Sequence, residues 1–263
     1  MTPDLIDIGA NLTHESFTED FQEVIQRATD AGVNRIILTG SSEQGSCDAA
    51  ALAESDSARF RATAGVHPHH AAEYSDVVHQ TLLDLLERDA VVAVGECGLD
   101  YFRDFSPRED QRNAFRRQLE LAQETQLPVF LHQRDAHEDF LSLLQPAIGS
   151  VSRGVAHCFT GAEAELRAYL ELDLYIGVTG WICDERRGAH LKEIIGLIPA
   201  DRLLIETDAP YLMPRTLRPK PKSRRNEPAH LREVLRVIAT VLERSELEIA
   251  AETTANAERF FSL

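Results

Sequence analysis

Residues 91–96 read Val91-Val92-Ala93-Val94-Gly95-Glu96, a β-type run closed by a carboxylate. The pattern recurs in Val129-Phe130-Leu131-His132, in Val155-Ala156-His157 and in Leu203-Leu204-Ile205-Glu206-Thr207-Asp208. A single polar residue at the end of an apolar run marks only the start of a loop. Four of them, each a carboxylate or an imidazole, are what a parallel barrel needs to aim ligands at one point. Catalytic groups of (β/α)8 enzymes sit at the carboxyl ends of the strands. Histidine with carboxylates is the donor set for a hydrolytic divalent cation.

Outward from these runs the chain alternates regularly. Further β-type runs fall at Leu5–Ile8, Arg35–Thr39, Arg61–Ala64 and Leu174–Ile176, with Gly154 opening the run that ends at His157. Amphipathic stretches of helical spacing lie between them. The helix expected over Phe17–Ala31 stops at Gly32, a fitting C-terminal glycine. Ser106-Pro107-Arg108-Glu109 reads as an N-cap serine, a proline in the first turn and a capping-box glutamate, launching a helix to about Thr125. Helices over Pro228–Glu243 and Leu247–Phe260 follow, the second with a capping box at Ser245 and Glu248. Eight strands with intervening helices in 263 residues predict an α/β chain folded as one (β/α)8 TIM barrel over residues 1–263. A doubly wound sheet is the alternative, but it gathers its site at one switch point, and here polar strand ends occur throughout. The one long irregular segment, Ala209 to about Asn226, is of a length usually reserved for function.

Composition narrows the class. An apolar fraction of 43% with 27% charged residues is that of a globular protein, and no apolar stretch approaches the ~20 residues of a membrane span. No basic segment followed by an apolar one opens the chain, so no secretory signal is expected. Cys47, Cys97, Cys158 and Cys183 are widely spaced, which suggests free thiols in a reducing cytoplasm. The net charge of −16 argues against a protein that coats nucleic acid electrostatically. It leaves room for an enzyme that grips a strand end through a metal and a local basic patch. Residues 215–225 form such a patch, with Arg215, Arg218, Lys220, Lys222, Arg224 and Arg225 and no acid, although a solvated proline-stiffened loop would look the same.

The strand ends, read in order, carry DIGANLT, AGVHPH, VGECGLD, HQRDAH, HCFTG, GVTGWICDERRG and IETDAPYLMP, followed by KPKSRRNEPAHL. In this order, and over nearly the whole chain, they resemble the TatD family of metal-dependent deoxyribonucleases, a branch of the amidohydrolase-like barrels. The resemblance implies that Glu96, His132, His157 and Asp208 are metal ligands, with Asp208 also taking the proton from the attacking water. It implies a 3′-5′ exonuclease on single-stranded DNA or RNA 3′ ends, supported chiefly by Mg2+, with Zn2+ or Mn2+ as alternatives, and a role in DNA repair. A D-aminoacyl-tRNA deacylase or another ester or amide hydrolase is the rival within enzymes. A non-catalytic nucleic-acid-binding scaffold is the rival outside them.

The departure from the family matters as much. Most relatives in the wider family carry DxHxH after the first strand, whereas this chain, like the branch of the family it resembles, has Gly9 and Asn11 at the histidine positions, so the replacement need not mean a dead enzyme. Glycine offers no ligand and asparagine only an amide oxygen, so one well-held metal is expected, any second ion being weak or brought by substrate. His67 is expected at the substrate phosphate or leaving group. Arg134, Arg224 and Arg225 are expected to hold the backbone, Arg134 through its planar fork unless Asp135 pairs with it. Tyr101, Phe102 and Trp181 are candidates for base stacking. His69 and His70 read as surface residues, Cys97 and Cys158 as packing, and the chain as a cytoplasmic monomer.

Overall fold

The computed structural model describes residues 3–263, so the N-terminal reading at Met1 and Thr2 lies outside the described residues. Eight strands appear in chain order: β1 Leu5–Ala10, β2 Val33–Leu38, β3 Phe60–Ala64, β4 Val91–Asp100, β5 Val129–Arg134, β6 Gly154–Ala156, β7 Tyr175–Val178 and β8 Leu203–Ile205. They form one parallel sheet in the order β1 to β8, with helices between successive strands. This is the (β/α)8 TIM-barrel architecture, and its sequential order excludes the doubly wound sheet. Strands buried on both faces must be apolar along their whole length, which is why these runs read as continuous rather than alternating.

Two compact units make up the chain. The first runs to Ile37 and includes Cys158–Glu163 and Ile176–Leu263. Within it β1 and β8 are neighbours: Ala10 bridges Ala209, and the Asn11 amide donates to the Ala209 carbonyl at 2.7 Å. Helix α8 (Leu231–Val241) and helix α9 (Glu246–Phe261) close this unit, with the Ser245–Glu248 capping box formed at the start of α9. Asn256 of α9 donates to the carbonyls of Ala200 and Leu203, fastening the helix below β8. From Glu206 to Glu227 no helix or strand occurs, in line with the irregular segment expected there.

The second unit comprises Leu38–His157 and Ala164–Tyr175. Its core is aromatic at the outer layer, where Phe115 stacks on Phe140 at 5.3 Å and Phe140 meets Tyr169 edge-on. Two expectations shift here. Strand β4 does not end at Val94 but continues to Asp100, each residue buried. The helix after it, α4 (Arg108–Thr125), starts behind Pro107 rather than Ser106. The Ser106 hydroxyl donates instead to the His69 carbonyl at 2.9 Å, a tertiary contact that competes with capping. In the first unit, likewise, the first helix begins later than its periodicity suggests. A 3-10 turn occupies Glu15–Phe17, and α1 spans Phe21–Asp30.

Candidate metal centre

Glu96 owes its position to a β-bulge. In the pairing of β4 with β5, Gly95 faces Phe130 and Cys97 faces Leu131, so Glu96 is the extra residue, turned out of the ladder. Glycines on either side make this possible. A Cβ on Gly95 (φ +133°) would lie 2.3 Å from the Phe130 carbonyl, and one on Gly98 (φ +144°) would lie 1.9 Å from the His132 carbonyl.

The re-aimed carboxylate is buried and ringed by imidazoles. Glu96 Oε1 accepts from His157 Nε2 at 2.7 Å and from His132 Nδ1 at 2.9 Å, and His67 Nε2 stands 3.4 Å away. Burial pushes the Glu96 carboxyl up, but His157, His67 and His132 together hold it well below the usual carboxylate range. Burial draws His67 well below the ordinary histidine value. Burial also opposes charge on His132, yet the carboxylates of Asp100 and Glu96 beside it raise it.

Asp100, at the end of β4, builds a second layer. Its Oδ2 lies 2.9 Å from His69 Nε2 and 3.4 Å from His132 Nε2. The His132 contact is within ion-pair reach, but no aligned hydrogen bond reaches that buried nitrogen. Two groups of donors are therefore close enough to share a cation each, Glu96/His132/His157 and His67/Asp100/His132, with atoms within 4.8 Å of one another. A buried acceptor nitrogen left unsatisfied beside carboxylates suits a divalent cation, and the donor set fits one. Asp100 and His69 were not legible as site residues. His69, expected at the surface, is half-buried on Asp100, because Pro68 starts a 3-10 turn that folds it back. His70 is exposed as expected.

Asp208 and Asn11 belong to the first unit. Asn11 Nδ2 donates to Asp208 Oδ1 at 3.2 Å and to the Ala209 carbonyl at 3.3 Å. The Asp208 amide donates to the Gly9 carbonyl at 2.8 Å. Asn11 thus holds Asp208 in place, and Gly9 meets it through backbone alone. Beside them Asp7, fully buried, accepts from the amides of Thr207 and Gly9 and from the Thr207 hydroxyl. Burial pushes its carboxyl up to about 7 despite those bonds.

The remaining candidates separate by what they touch. Arg134 lies over the Phe102 ring at 3.8 Å and has no carboxylate partner among the described residues. The Tyr101 hydroxyl donates to Asp139 at 2.6 Å and receives a bond from Arg112, so its ring is tied to helices rather than open. Trp181 is covered on one face by Arg187 at 4.3 Å. Arg225 grips Asp20 through two bonds of 2.7 Å and covers Phe17, whereas Arg224 is exposed. Arg215 pairs with Glu185 at 2.9 Å. The four cysteines are free thiols, and burial pushes that of Cys97 far up, which leaves it inert.

Comparison with known proteins identifies the family to which the chain belongs. The family described as TatD related DNase matches residues 6–262. A protein of Erwinia tasmaniensis named 3′-5′ ssDNA/RNA exonuclease TatD is 50% identical over 98% of this chain and 100% of its own length. The Escherichia coli K12 protein of that name is 47% identical over 98% of this chain and 99% of its own. Among solved structures, a TatD homologue of Escherichia coli K12 superposes with a TM-score of 0.90 at 32% identity, covering both chains in full. A TatD family hydrolase of Entamoeba histolytica gives 0.90 at 30%, covering 99% of each chain.

Proposed function

From the membership of this chain in the TatD-related DNase family, we propose that it is a metal-dependent hydrolase of nucleic-acid phosphodiesters that trims single-stranded DNA and RNA from the 3′ end. The observation that carries this reading is one buried carboxylate oxygen, Glu96 Oε1, facing three imidazoles. Glu96, His132 and His157 are the groups that would hold a divalent cation, with Asp208 added on the family pattern. Such a cation supplies Lewis acidity, acidifying water and offsetting charge on the phosphoryl oxygens. Mg2+ is the ion we assign for activity, with Mn2+ or Zn2+ able to substitute.

The protein's own groups then have distinct tasks. Asp208, steadied by Asn11, takes the proton of the attacking water. His67 Nδ1 accepts the His69 amide at 3.0 Å, which leaves Nε2 as the N–H that meets a phosphoryl or leaving-group oxygen. Arg134 and Arg224 contact the strand backbone, and Arg225 acts mainly by bracing the loop against Asp20. The four free thiols suit a reducing cytoplasm, where we expect a monomer.

The test is release of mononucleotides from a 3′-labelled single-stranded oligomer, with EDTA and after adding back Mg2+, Mn2+ or Zn2+. Stepwise 3′ shortening that requires metal and disappears in Glu96→Ala is expected. If a folded, metal-loaded wild type leaves the strand intact but cleaves a D-aminoacyl ester, the deacylase reading replaces this one.

A further inference from the structure

Strand β4, which carries Glu96, runs on into a short loop that presents two aromatic rings to solvent. Phe102 is 55% exposed and Phe105 is 65% exposed. Rings this large usually find cover, and the exposure of both on one short loop calls for a partner. Guanidinium groups surround them. Arg134 lies over Phe102 at 3.8 Å, and Arg103 lies 5.9 Å from Phe102 and 6.0 Å from Phe105. Neither arginine has a carboxylate partner among the described residues. By contrast, Arg108 and Arg112 nearby are paired with Asp104 and with Glu109 and Asp139.

The loop is held at both ends. Asp100 Oδ1 accepts the amides of Phe102 and Arg103 at 3.0 and 2.8 Å, while Ser106 bonds the His69 carbonyl. It is also joined to the metal centre by ring contacts. Phe105 meets His69 at 4.7 Å, His69 meets His67 at 4.1 Å, and His67 meets His132 at 4.3 Å.

We propose that Phe102 and Phe105, flanked by Arg103 and Arg134, form a platform on which a nucleobase of the bound single strand stacks. The proposal rests on the function proposed above and adds a site to it. An apolar partner would leave the two unpaired guanidinium groups desolvated and uncompensated. A nucleotide satisfies both features at once, its base lying on the rings and its phosphates meeting the arginines. In a chain of net charge −16 a local set of unpaired cations is a directed feature rather than a general one. Stacking needs an unpaired base, so the platform also favours single strands over duplex.

The experiment is fluorescence anisotropy with a short 5′-fluorescein oligothymidylate whose 3′ linkages are phosphorothioates, in Mg2+, with the intact enzyme. Phe102→Ala and Phe105→Ala are expected to weaken binding by roughly 5- to 150-fold, the range of one lost base stack. Phe102→Trp should retain wild-type affinity, which separates stacking from loop collapse. A strand with an abasic site at the stacked position should bind wild type as weakly as the variants bind the intact strand, with no further loss on combining the two. If Phe102→Ala and Phe105→Ala each bind within twofold of wild type, or if wild type does not bind the strand, the platform is overturned. If wild type binds with this dependence yet never cleaves an unprotected strand, the platform stands and the nuclease reading falls.

Discussion

Asp7 and Glu96 are both buried carboxyls, and their neighbours set them apart. Glu96 has three imidazoles within 3.4 Å, so its charge is compensated and retained. Asp7 has only amides and a hydroxyl, with Glu206 nearby to raise it further, so burial wins and its carboxyl stays protonated up to about pH 7. Its ordinary value is 3.8, and between those limits the folded chain binds a proton that the unfolded chain has released. The stability from this group is therefore complete below about pH 4 and is lost as pH rises to about 7. Replacing Asp7 by Asn should flatten that part of the profile, measured as Tm against pH beside wild type. Asn11 makes a second prediction at this scale. Its Nδ2 is engaged with Asp208 and Ala209, so it offers a cation only its amide oxygen, a weaker donor than an imidazole. Equilibrium dialysis against Mn2+ without substrate should give one tightly bound ion per chain; two fully occupied ions would overturn the one-metal reading.

Strand β4 is the element on which the centre depends. Its bulge lifts Glu96 out of the ladder, and the register resumes at Cys97 and continues to Asp100 opposite Arg134. That continuation places Asp100 beside His132. Gly98 is where it is most vulnerable, since a side chain there would meet the His132 carbonyl and φ is +144°. Gly98→Ala should cost more than about 1 kcal/mol, the scale of a side chain placed in an incompatible backbone conformation. It should also weaken Mn2+ binding, because β4 and β5 must part to admit the methyl. Thermal denaturation and calorimetric titration of the same sample test both; unchanged metal affinity would show that Glu96 and His132 do not rely on the register.

Across the whole molecule, an acidic surface must admit a polyanion. With 43 acidic residues against 27 basic ones, attraction to the strand cannot come from the net field. It must come from a few fixed cations, and much of the basic segment is already engaged, Arg215 with Glu185 and Arg225 with Asp20. Binding should therefore depend only shallowly on salt. Each phosphate contact on a single strand contributes a slope of about 0.7 in log K against log salt. Arg224→Ala should lower the slope by about that amount, and Arg215→Ala by less. Affinities of both variants across a salt series would decide, and an undiminished slope for Arg224→Ala would remove it from the strand contact.

The sequence by itself determined the barrel and four of its ligand candidates, because a strand buried on both faces must be apolar and must end in whatever the site requires. It also exposed the departure at Gly9 and Asn11, which is a matter of residue identity alone. Tertiary structure decided the rest. That Glu96 sits on a bulge depends on how β4 registers against β5, a pairing between segments more than thirty residues apart. Asp100 was hidden because two glycines and a cysteine interrupt the apolar run after Val94, so the strand reads as finished before it ends. His69 became an inner residue only because a turn at Pro68 and the Ser106 hydroxyl fold it back onto Asp100. The grip of Arg225 on Asp20, about two hundred residues away, is likewise invisible in its local sequence. Long-range partners fix the task of a charged side chain, and nothing in its local sequence records them.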